Sequence, residues 1–524
     1  MKSKKTISVL FTIICLLTSA TLCAQDQRML TYAALIDSAN IRKTLEVLAS
    51  DKFEGRGTGK PGGAKAVEYI TEYLKQKEVK TGNKGSYLQN INAMNTQKGN
   101  KRFLMHGFDY EKDYSYPNLD IHDSIISADK IVFVGYGIYG ASYNDFAKVD
   151  IADKVIMMIE NEGPFNKYGI PYFSSSEGKR YIEKQRPKAI LRVKNDFRKF
   201  NNYNYSRITY QQSEEYNEQN RIPKIEINQL LANKILQPLN KTIKQIEYET
   251  EATGISQASQ IDESFTFTGN RIYTNAGVNN IIAIVEGTDL KEEYIFVTAH
   301  HDHEGTSYDK IYNGADDNAS GVSAVLEIAN VMNKAKKQGK GPRRSIVFLF
   351  PAAEEVSLTG SGFYTNHPVY PLKNTKACIN LDMVGRLGDE YASKGNNYVY
   401  VVNHEKNSKR LCNVLENVNQ KTTQLTLDYK YTTPGDNERL FHRSDQASFY
   451  EKGIPAIMLT SGMHKDYHKE TDEAKRIDFN GLYKRTKLAF AFIWELANSP
   501  RIFPEEAKTA DEEKVEISVM AIER

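Results

Sequence analysis

The sequence predicts an α/β fold with a mixed, mostly parallel central sheet, helices on both of its faces, and an inserted β-rich module. Two observations support this prediction. From about residue 275 onward, short apolar runs alternate with amphipathic helical patterns, which is typical of sheets covered by helices on both sides. Between about 106 and 265 this alternation is lost, and β-type runs stand beside polar stretches rich in Tyr, Asn and Lys.

The composition of the chain is that of an ordinary soluble protein. Of its 524 residues, 40% belong to the hydrophobic set and 26% are charged, and the length predicts two to three domains. This composition excludes a disordered chain, a collagen-like repeat and a polytopic membrane protein. The 69 Lys and Arg residues exceed the 66 Asp and Glu residues by only three, so no nucleic-acid partner is expected. Four cysteines are too few for a disulfide-built scaffold.

The N-terminus has the features of an export signal. A lysine-rich start precedes an apolar run over 7–17, and small residues then lead to Ala24. This pattern predicts a signal peptide over 1–24 and a periplasmic or secreted protein without a transmembrane segment in its mature chain. The alternative is lipoprotein anchoring at Cys23, which Leu22 disfavours because a small residue usually stands at that place.

Strand-like and helical patterns follow one another through the second half of the chain. Strands are expected at 280–286, 293–299, 345–350, 377–381, 398–402 and 454–459. Apolar stripes at helical spacing predict helices over 65–77, over 320–334 and around 488–496. Cys378 lies within one of the strand-like runs, so a buried free thiol is expected there, with a disulfide to Cys412 as the alternative.

These patterns divide the chain after the signal peptide into two domains and a C-terminal tail. A discontinuous α/β domain is expected over 25–105 and 266–500, and an inserted domain over 106–265 separates its two segments. A charged C-terminal tail covers 501–524, and no role is assigned to it.

Groups of acids and histidines follow the strand-like runs of the α/β domain. They lie at His300-His301-Asp302-His303, Asp316-Asp317, Glu354-Glu355, Asp382 and Tyr467-His468. Taken singly, each group has a structural explanation, such as a helix cap or a solvated pair of acids. Together they point to a site, because ligands of α/β sheets bind at the carboxyl ends of the strands. His303 is expected as a surface histidine, with a donor behind a metal ligand as the alternative.

Five acids of these groups would repel one another strongly in a shared cleft, namely Asp302, Asp317, Glu354, Glu355 and Asp382. Taking one ion out of water costs several kcal/mol even after relaxation. Two divalent cations supply four positive charges, which nearly balance the five acids. Histidine and carboxylate ligands without a thiolate are typical of catalytic zinc. The sequence therefore predicts a site for two zinc ions.

At these residues the chain resembles the co-catalytic zinc exopeptidases typified by bacterial leucyl aminopeptidase, aminopeptidase Y and glutamate carboxypeptidase II. The resemblance includes Leu48-Ala-Ser-Asp-Lys-Phe-Glu-Gly-Arg-Gly57 and the whole block from 280 to 495. More weakly, Val132-Phe-Val-Gly-Tyr-Gly-Ile138 resembles the protease-associated module of some members. The resemblance implies that the α/β domain is a phosphorylase/hydrolase-like zinc peptidase domain.

The resemblance also implies a set of metal ligands. One zinc ion would be bound by His300 and Asp382, the other by Glu355 and His468, and both by the bridging Asp317. Asp317 is preferred to Asp316 because relatives with a single acid carry it at this place. The peptide bond from Asp317 to Asn318 is cis in these relatives.

Three further residues receive catalytic roles from the same resemblance. Glu354 would be the general base that accepts a proton from a water bridging the two zinc ions. Asp302 would orient His300, as partners of metal-bound histidines generally do. Tyr467 precedes the last ligand, as in the carboxypeptidase branch, where this tyrosine donates to the developing oxyanion.

The function expected from this resemblance is that of an exported aminopeptidase, which hydrolyses N-terminal residues of peptides. The first alternative is a carboxypeptidase or dipeptidase of the same fold. Glutaminyl cyclase, which uses one zinc ion, and a non-catalytic receptor-like module, in which the ligands are eroded, are disfavoured by the complete set of five ligand positions. The side-chain specificity and the oligomeric state stay open.

Overall fold

The computed structural model describes residues 27–110, 113–115, 124–160, 176–194, 207–210 and 222–500. The predicted signal peptide over 1–24 and the tail over 501–524 lie outside these residues. Among the helices that are described, none combines the length and the apolar character that a membrane crossing requires.

The chain forms two compact units. Of the described residues, the first unit comprises those up to Asn92 and those from Gly277 onward, and the second comprises those from Ala93 to Ala276. The strands Ala93–Met105 and Phe265–Asn275 pair with each other in antiparallel fashion, so both lie in the second unit. The division into domains at 105/106 and 265/266 stays a prediction.

The secondary structure of the described residues is as follows. In chain order, the strands are β1 (Lys80–Thr81), β2 (Leu88–Asn90), β3 (Ala93–Met105), β4 (Phe108–Asp109), β5 (Tyr114–Ser115), β6 (Ser124–Ala128), β7 (Ile131–Phe133), β8 (Val155–Ile159), β9 (Ala189–Lys194), β10 (Arg207–Tyr210), β11 (Lys224–Asn228), β12 (Ser259–Ile261), β13 (Phe265–Asn275), β14 (Asn279–Val285), β15 (Leu290–Thr298), β16 (Gly305–Ser307), β17 (Lys310–Tyr312), β18 (Arg344–Phe350), β19 (Thr375–Leu381), β20 (Tyr398–Val402), β21 (Thr426–Asp428) and β22 (Ala456–Thr460). The α-helices are α1 (Ser38–Leu48), α2 (Pro61–Gln76), α3 (Ser176–Gln185), α4 (Gln229–Ile235), α5 (Ile243–Thr253), α6 (Gly321–Lys337), α7 (Thr359–Asn366), α8 (Glu405–Lys421), α9 (Gln446–Tyr450) and α10 (Phe479–Asn498), and residues 27–33 are also helical.

The first unit is built on a nine-stranded sheet in the order β1-β14-β18-β15-β19-β22-β20-β21, with β2 paired to β14. Its four central strands β18, β15, β19 and β22 run parallel to one another. On either side of them, β14 pairs antiparallel with β18, and β20 pairs antiparallel with β22. The predicted mixed sheet with a parallel centre is confirmed.

Helices cover both faces of this sheet. In β14, Ile281 and Ala283 belong to the apolar cluster formed with α1, α2, α6, α8 and α10. The intervening Ile282 belongs to a second cluster, which contains Tyr364 of α7 and Phe449 of α9. Because successive side chains of a strand point to opposite faces, these clusters lie on opposite sides of the sheet. Each fully buried aliphatic or aromatic side chain stabilises the fold by about 1.5–3 kcal/mol.

The sequence explains where helix α6 begins and ends. Its N-terminal Gly321 follows the turn Ala315–Ser320, and its apolar stripe is buried against the sheet, as predicted. Three lysines occupy its last turn, where positive charges interact favourably with the helix dipole. Gly339 then adopts a φ of +66°, a conformation that ends helices and suits glycine.

The second unit is β-rich, as predicted for the inserted module. One sheet has the order β10-β3-β13-β6 with β4 paired to β3, and all its described pairs are antiparallel. The other sheet has the order β12-β7-β8-β9-β11-β5, and β7, β8, β9 and β11 are parallel. Its likeness to a protease-associated module stays a prediction.

Candidate metal centre

The acids and histidines that the sequence singled out follow the four parallel central strands. His300 lies just after β15, Glu354 and Glu355 lie after β18, Asp382 directly follows β19, and His468 lies in the loop after β22. The carboxyl ends of parallel strands meet at one edge of a sheet, which brings these side chains together.

Asp317 reaches the same edge from the turn that leads into α6. The turn Ala315–Ser320 is buried, and the peptide bond from Asp317 to Asn318 is cis, as the family resemblance implied. The Asn318 side chain donates to the carbonyl of Leu381 over 2.9 Å and accepts from the N–H of Gly321 over 2.9 Å. These two bonds tie the turn to the end of β19 and to the start of α6.

The first group of side chains surrounds His300, which is buried. Its Nε2 lies 3.3 Å from Asp317 Oδ1, 3.4 Å from Asp382 Oδ1 and 4.0 Å from Glu354 Oε2. Its Nδ1 donates to the main-chain carbonyl of Asp302 over 3.2 Å. Because Nδ1 is engaged by that carbonyl, Nε2 is left to face the carboxylates.

The second group of side chains surrounds His468. Its Nε2 lies 3.1 Å from Asp317 Oδ2 and 3.1 Å from Glu355 Oε2, and its Nδ1 lies 3.1 Å from Glu304 Oε1. Asp317 thus directs one carboxylate oxygen to His300 and the other to His468. It is the side chain that the two groups share.

The atoms at this centre fit divalent metal ions with nitrogen and oxygen ligands. Several of its buried atoms lack a hydrogen-bond partner among the described residues, namely His300 Nε2, Asp382 Oδ1 and His468 Nε2. Leaving a buried polar atom unpaired costs about 1–3 kcal/mol, whereas imidazole nitrogens and carboxylate oxygens are ligands that zinc accepts. In the part of the chain that the structure describes, three sets of side chains are close enough to hold an ion, namely His300 with Glu354 and Asp382, His303 with Asp317 and Glu355, and Glu304 with Glu355 and His468.

The carboxylate of Asp302 connects two loops at the centre. Thr58 donates its hydroxyl to Oδ2 over 2.5 Å, and the main-chain N–H of Glu354 donates to Oδ1 over 3.1 Å. The Asp302 carboxylate lies 3.8 Å from His300 Nδ1, so its carbonyl is the nearer partner of that nitrogen. Asp302 therefore contacts His300 mainly through its main chain and holds Glu354 with its side chain.

The acids of the centre differ in their affinity for a proton. Burial raises the pKa of Glu354 well above its ordinary value, and the charge of Glu355 adds to this against the attraction of His300. Burial acts in the same direction on Asp317, but the neighbouring imidazoles of His300, His303 and His468 hold the pKa of Asp317 well below its ordinary value. Asp317 is therefore the acid that stays ionised, and Glu354 is the one that holds a proton more readily.

Arg56 lies beneath the centre, and no role was predicted for it although it belongs to the segment that carries the resemblance. Its buried guanidinium donates to the main-chain carbonyls of Leu48, His301, Asn313, Gly314 and Asp317. Burial lowers its pKa to about 10 against the attraction of the surrounding carboxylates. Arg56 thereby ties the loop after β15 to the turn before α6.

Asp472 is a second residue whose role the sequence did not indicate. Its Oδ2 accepts the main-chain N–H groups of Asp316 over 2.9 Å and of Asp317 over 3.2 Å. The Asp316 carboxylate accepts from the N–H of Gly385 over 2.6 Å and lies 3.2 Å from His464 Nε2. Asp316 thus has partners of its own, away from the two histidines that Asp317 faces.

Tyr467 lies beside the second group of side chains. Its ring stacks on the His468 ring with centroids 3.8 Å apart, and its hydroxyl accepts from the exposed Arg443 over 3.2 Å.

The expectation that His303 lies at the surface is wrong, since it is 2% exposed and lies among the candidate ligands.

Comparison with known proteins agrees with this site. Residues 280–493 match the model of peptidase family M28. Aminopeptidase YwaD of Bacillus subtilis is 28% identical over 233 residues, which cover 43% of this chain and 46% of that protein. A probable zinc metalloprotease of Leptosphaeria maculans is 22% identical over 263 residues, which cover 44% of this chain and 60% of that protein. The chain therefore spans about half the length of these curated relatives.

Among solved structures, the aminopeptidase from Aneurinibacillus sp. strain AM-1 aligns with a TM-score of 0.48 and 19% identity, covering 91% of this chain and 98% of that chain. The M28 match includes every candidate metal ligand, from His300 to His468. The resemblance to the co-catalytic zinc exopeptidases is supported by the match of residues 280–493 to the model of peptidase family M28.

Proposed function

We propose that this protein is an exported, zinc-dependent exopeptidase, and that it acts as an aminopeptidase on the N-terminal residues of peptides. The observation that carries the proposal is the sharing of Asp317, whose two oxygens lie 3.3 Å from His300 and 3.1 Å from His468. The family match and the names of the two curated relatives support a metal-dependent peptidase.

Five side chains of the centre would hold two zinc ions. His300, Asp317 and Asp382 would hold one ion, and Asp317, Glu355 and His468 would hold the other. When bound, the ions polarise the scissile carbonyl and lower the pKa of a water molecule held between them. Their positive charges also offset the repulsion among carboxylates that are otherwise packed within 4 Å of the same imidazoles.

Glu354 is the general base in this proposal. Its main chain is fixed by Asp302, and its Oε2 lies 4.0 Å from His300 Nε2, beside the ligands of the first ion. From there its carboxylate takes the proton of the attacking water and delivers it to the leaving amine. Tyr467 would donate its hydroxyl to the oxyanion that develops on the substrate carbonyl.

Chelation and metal add-back test the proposed activity. The full mature chain is stripped with a chelator and assayed on amino-acid amides, N-acetylated peptides and C-amidated peptides. We expect hydrolysis of amino-acid amides and C-amidated peptides to disappear on chelation and to return with two equivalents of zinc. Cleavage of N-acetylated peptides alone would identify a carboxypeptidase instead. A protein that binds two zinc ions and cleaves none of these substrates would contradict the proposal.

Export rests on the pattern over 1–24 and has its own test. Mass spectrometry of the protein recovered from its native host should find a mature N-terminus at Gln25. A lipid-modified N-terminus at Cys23 would identify the lipoprotein alternative, and an intact N-terminus would contradict export by this signal.

A further inference from the structure

His303 is a buried histidine at the metal centre. It is not one of the five proposed ligands, and the proposed function gives it no role. It is 2% exposed. Its Nδ1 lies 2.8 Å from Glu355 Oε1 and 3.8 Å from Asp317 Oδ2. The shorter distance is that of a charge-assisted hydrogen bond, in which the protonated Nδ1 donates to the carboxylate.

The two oxygens of Glu355 therefore have separate partners. Oε1 accepts from His303, whereas Oε2 lies 3.1 Å from His468 Nε2. His468 Nε2 is at the same distance from Asp317 Oδ2. Oε2 of Glu355 thus faces the proposed ligands Asp317 and His468, whereas Oε1 is bound by His303 on the side away from them.

The His303 ring has little freedom to turn. Its main-chain N–H donates to the carbonyl of Arg56 over 3.3 Å, and its ring packs edge-on against the ring of His468 at 5.6 Å. Gly314 lies against the ring with a φ of +52°, and a Cβ on Gly314 would come within 2.4 Å of His303 Cδ2. The position of the donating nitrogen is therefore fixed by three neighbours.

A purely space-filling role does not explain an imidazole at this place. Its Nε2 is buried and has no hydrogen-bond partner among the described residues. An apolar side chain of similar size would fill the same space without leaving a nitrogen unpaired. The bond to Glu355 is the interaction that an apolar side chain would not provide.

We infer that His303 is a positioning residue of the second metal site, which orients Glu355 so that only Oε2 is offered to the ion shared with Asp317 and His468. This inference rests on the proposed function, because it needs a second ion to be bound. Residues that hydrogen-bond to a metal-bound carboxylate or imidazole, and so orient it, typically raise metal affinity about 10–100-fold. His303 acts through Glu355 in this arrangement and is not itself a ligand.

Zinc binding by the metal-free full chain tests the inference without an assay of activity. The two zinc affinities are measured by competition with a chromophoric chelator in the wild type and in three variants. His303→Leu should weaken one of the two zinc ions by about 10–100-fold. His303→Asn should stay within about threefold of the wild type, because its amide nitrogen takes the place of Nδ1.

His301→Asn is the matched control, since His301 lies on the same buried loop but bonds to the main-chain carbonyl of Asn279. It should leave both zinc affinities unchanged. A double-mutant cycle then asks whether His303 acts through Glu355. In a Glu355→Ala background, which has no side-chain oxygen to accept from His303 Nδ1, His303→Leu should change the affinity for each zinc ion that still binds by less than about twofold.

Two results would overturn the inference. One is a folded His303→Leu variant, with wild-type circular dichroism, that binds both zinc ions as tightly as the wild type. The other is a full His303→Leu effect in the Glu355→Ala background, which would make His303 a ligand in its own right. A wild-type chain that binds fewer than two zinc ions would defeat the inference together with the proposed function, whereas the first two results leave the proposed function standing.

Discussion

Two buried aspartates, one in each unit of the molecule, have opposite surroundings. Asp145 of the second unit is 0% exposed and is surrounded by donors. It accepts the main-chain N–H groups of Tyr136 and Ile138 over 3.1 and 3.0 Å, and the hydroxyls of Tyr143 and Ser256 over 2.9 and 2.6 Å. Its negative charge is satisfied by the protein itself, as expected of a structural acid.

Asp317 of the first unit is 3% exposed and lies among other ionisable groups. Its carboxylate faces His300 and His468, whose own neighbours are Asp382 and Glu355. Atoms of these groups remain unpaired within the described part of the chain. The comparison teaches that burial alone does not mark a metal site. A structural acid is enclosed by neutral donors, whereas a candidate ligand faces other candidate ligands.

Removing the shared acid should have the largest effect. Asp317→Asn takes one ligand from each proposed ion, so we expect fewer than one zinc ion per chain by elemental analysis after dialysis. Peptidase activity should fall by more than about 10³-fold, because metal ions contribute several kcal/mol to the stabilisation of transition-state charge. Wild-type zinc content in this variant would show that Asp317 is not shared between two ions.

Removing the general base should separate metal binding from turnover. Glu354→Gln keeps the size of the side chain and removes its ability to accept a proton, so both zinc ions should stay bound while kcat falls by about 10²–10⁴-fold. The check is elemental analysis together with steady-state kinetics on an amino-acid amide. Full turnover would contradict the role given to Glu354, and loss of zinc would make it a ligand.

Replacing Tyr467, which lies beside His468, should lower turnover less than replacing Asp317 or Glu354. Tyr467→Phe removes the hydroxyl that we expect to donate to the oxyanion, so kcat should fall by about 10²-fold with little change in KM. The stacked ring is kept, which makes a loss of zinc unexpected. An unchanged kcat would leave the hydroxyl with no role beyond its contact with Arg443.

Replacing Asp145 in the second unit should lower the stability of the protein without affecting zinc binding or catalysis. Asp145→Asn disturbs four hydrogen bonds to a buried carboxylate, so the free energy of unfolding should fall by about 1–3 kcal/mol in urea titrations. Zinc content and turnover per folded molecule should match the wild type. A change in zinc content would contradict the conclusion that Asp145 is a structural acid, in contrast to Asp317.

The elements of the first unit were largely predictable because its central strands are buried on both faces. Such strands read as continuous apolar runs. Strand β20 was expected at 398–402 and is observed there, and the run expected at 345–350 is observed as Arg344–Phe350. Strand β15 begins at Leu290, three residues earlier than expected, because the charged residues Lys291 and Glu292 interrupt the apolar run after Leu290. Cys378 and Cys412 are both buried and free, so the expected buried free thiol at Cys378 is observed and the alternative disulfide is not.

The surroundings of the site were not predictable in the same way. The candidate ligands follow strand ends, which is a local signal, but Arg56, Asp472 and His303 act through partners far away in the chain. Arg56 contacts the carbonyl of His301, 245 positions along the chain. No periodicity or spacing encodes such a contact, because it exists only after the sheet has assembled. The sequence therefore indicated the candidate ligands, left Arg56 and Asp472 without a role, and gave a place behind a ligand only as the alternative for His303.

A crystal of the full mature chain grown with zinc tests the central claim most directly. An anomalous difference map at the zinc absorption edge should show two peaks, one beside His300 and Asp382 and one beside Glu355 and His468, with an oxygen of Asp317 next to each. A single peak, or zinc found only elsewhere while these side chains point apart into solvent, would contradict the account.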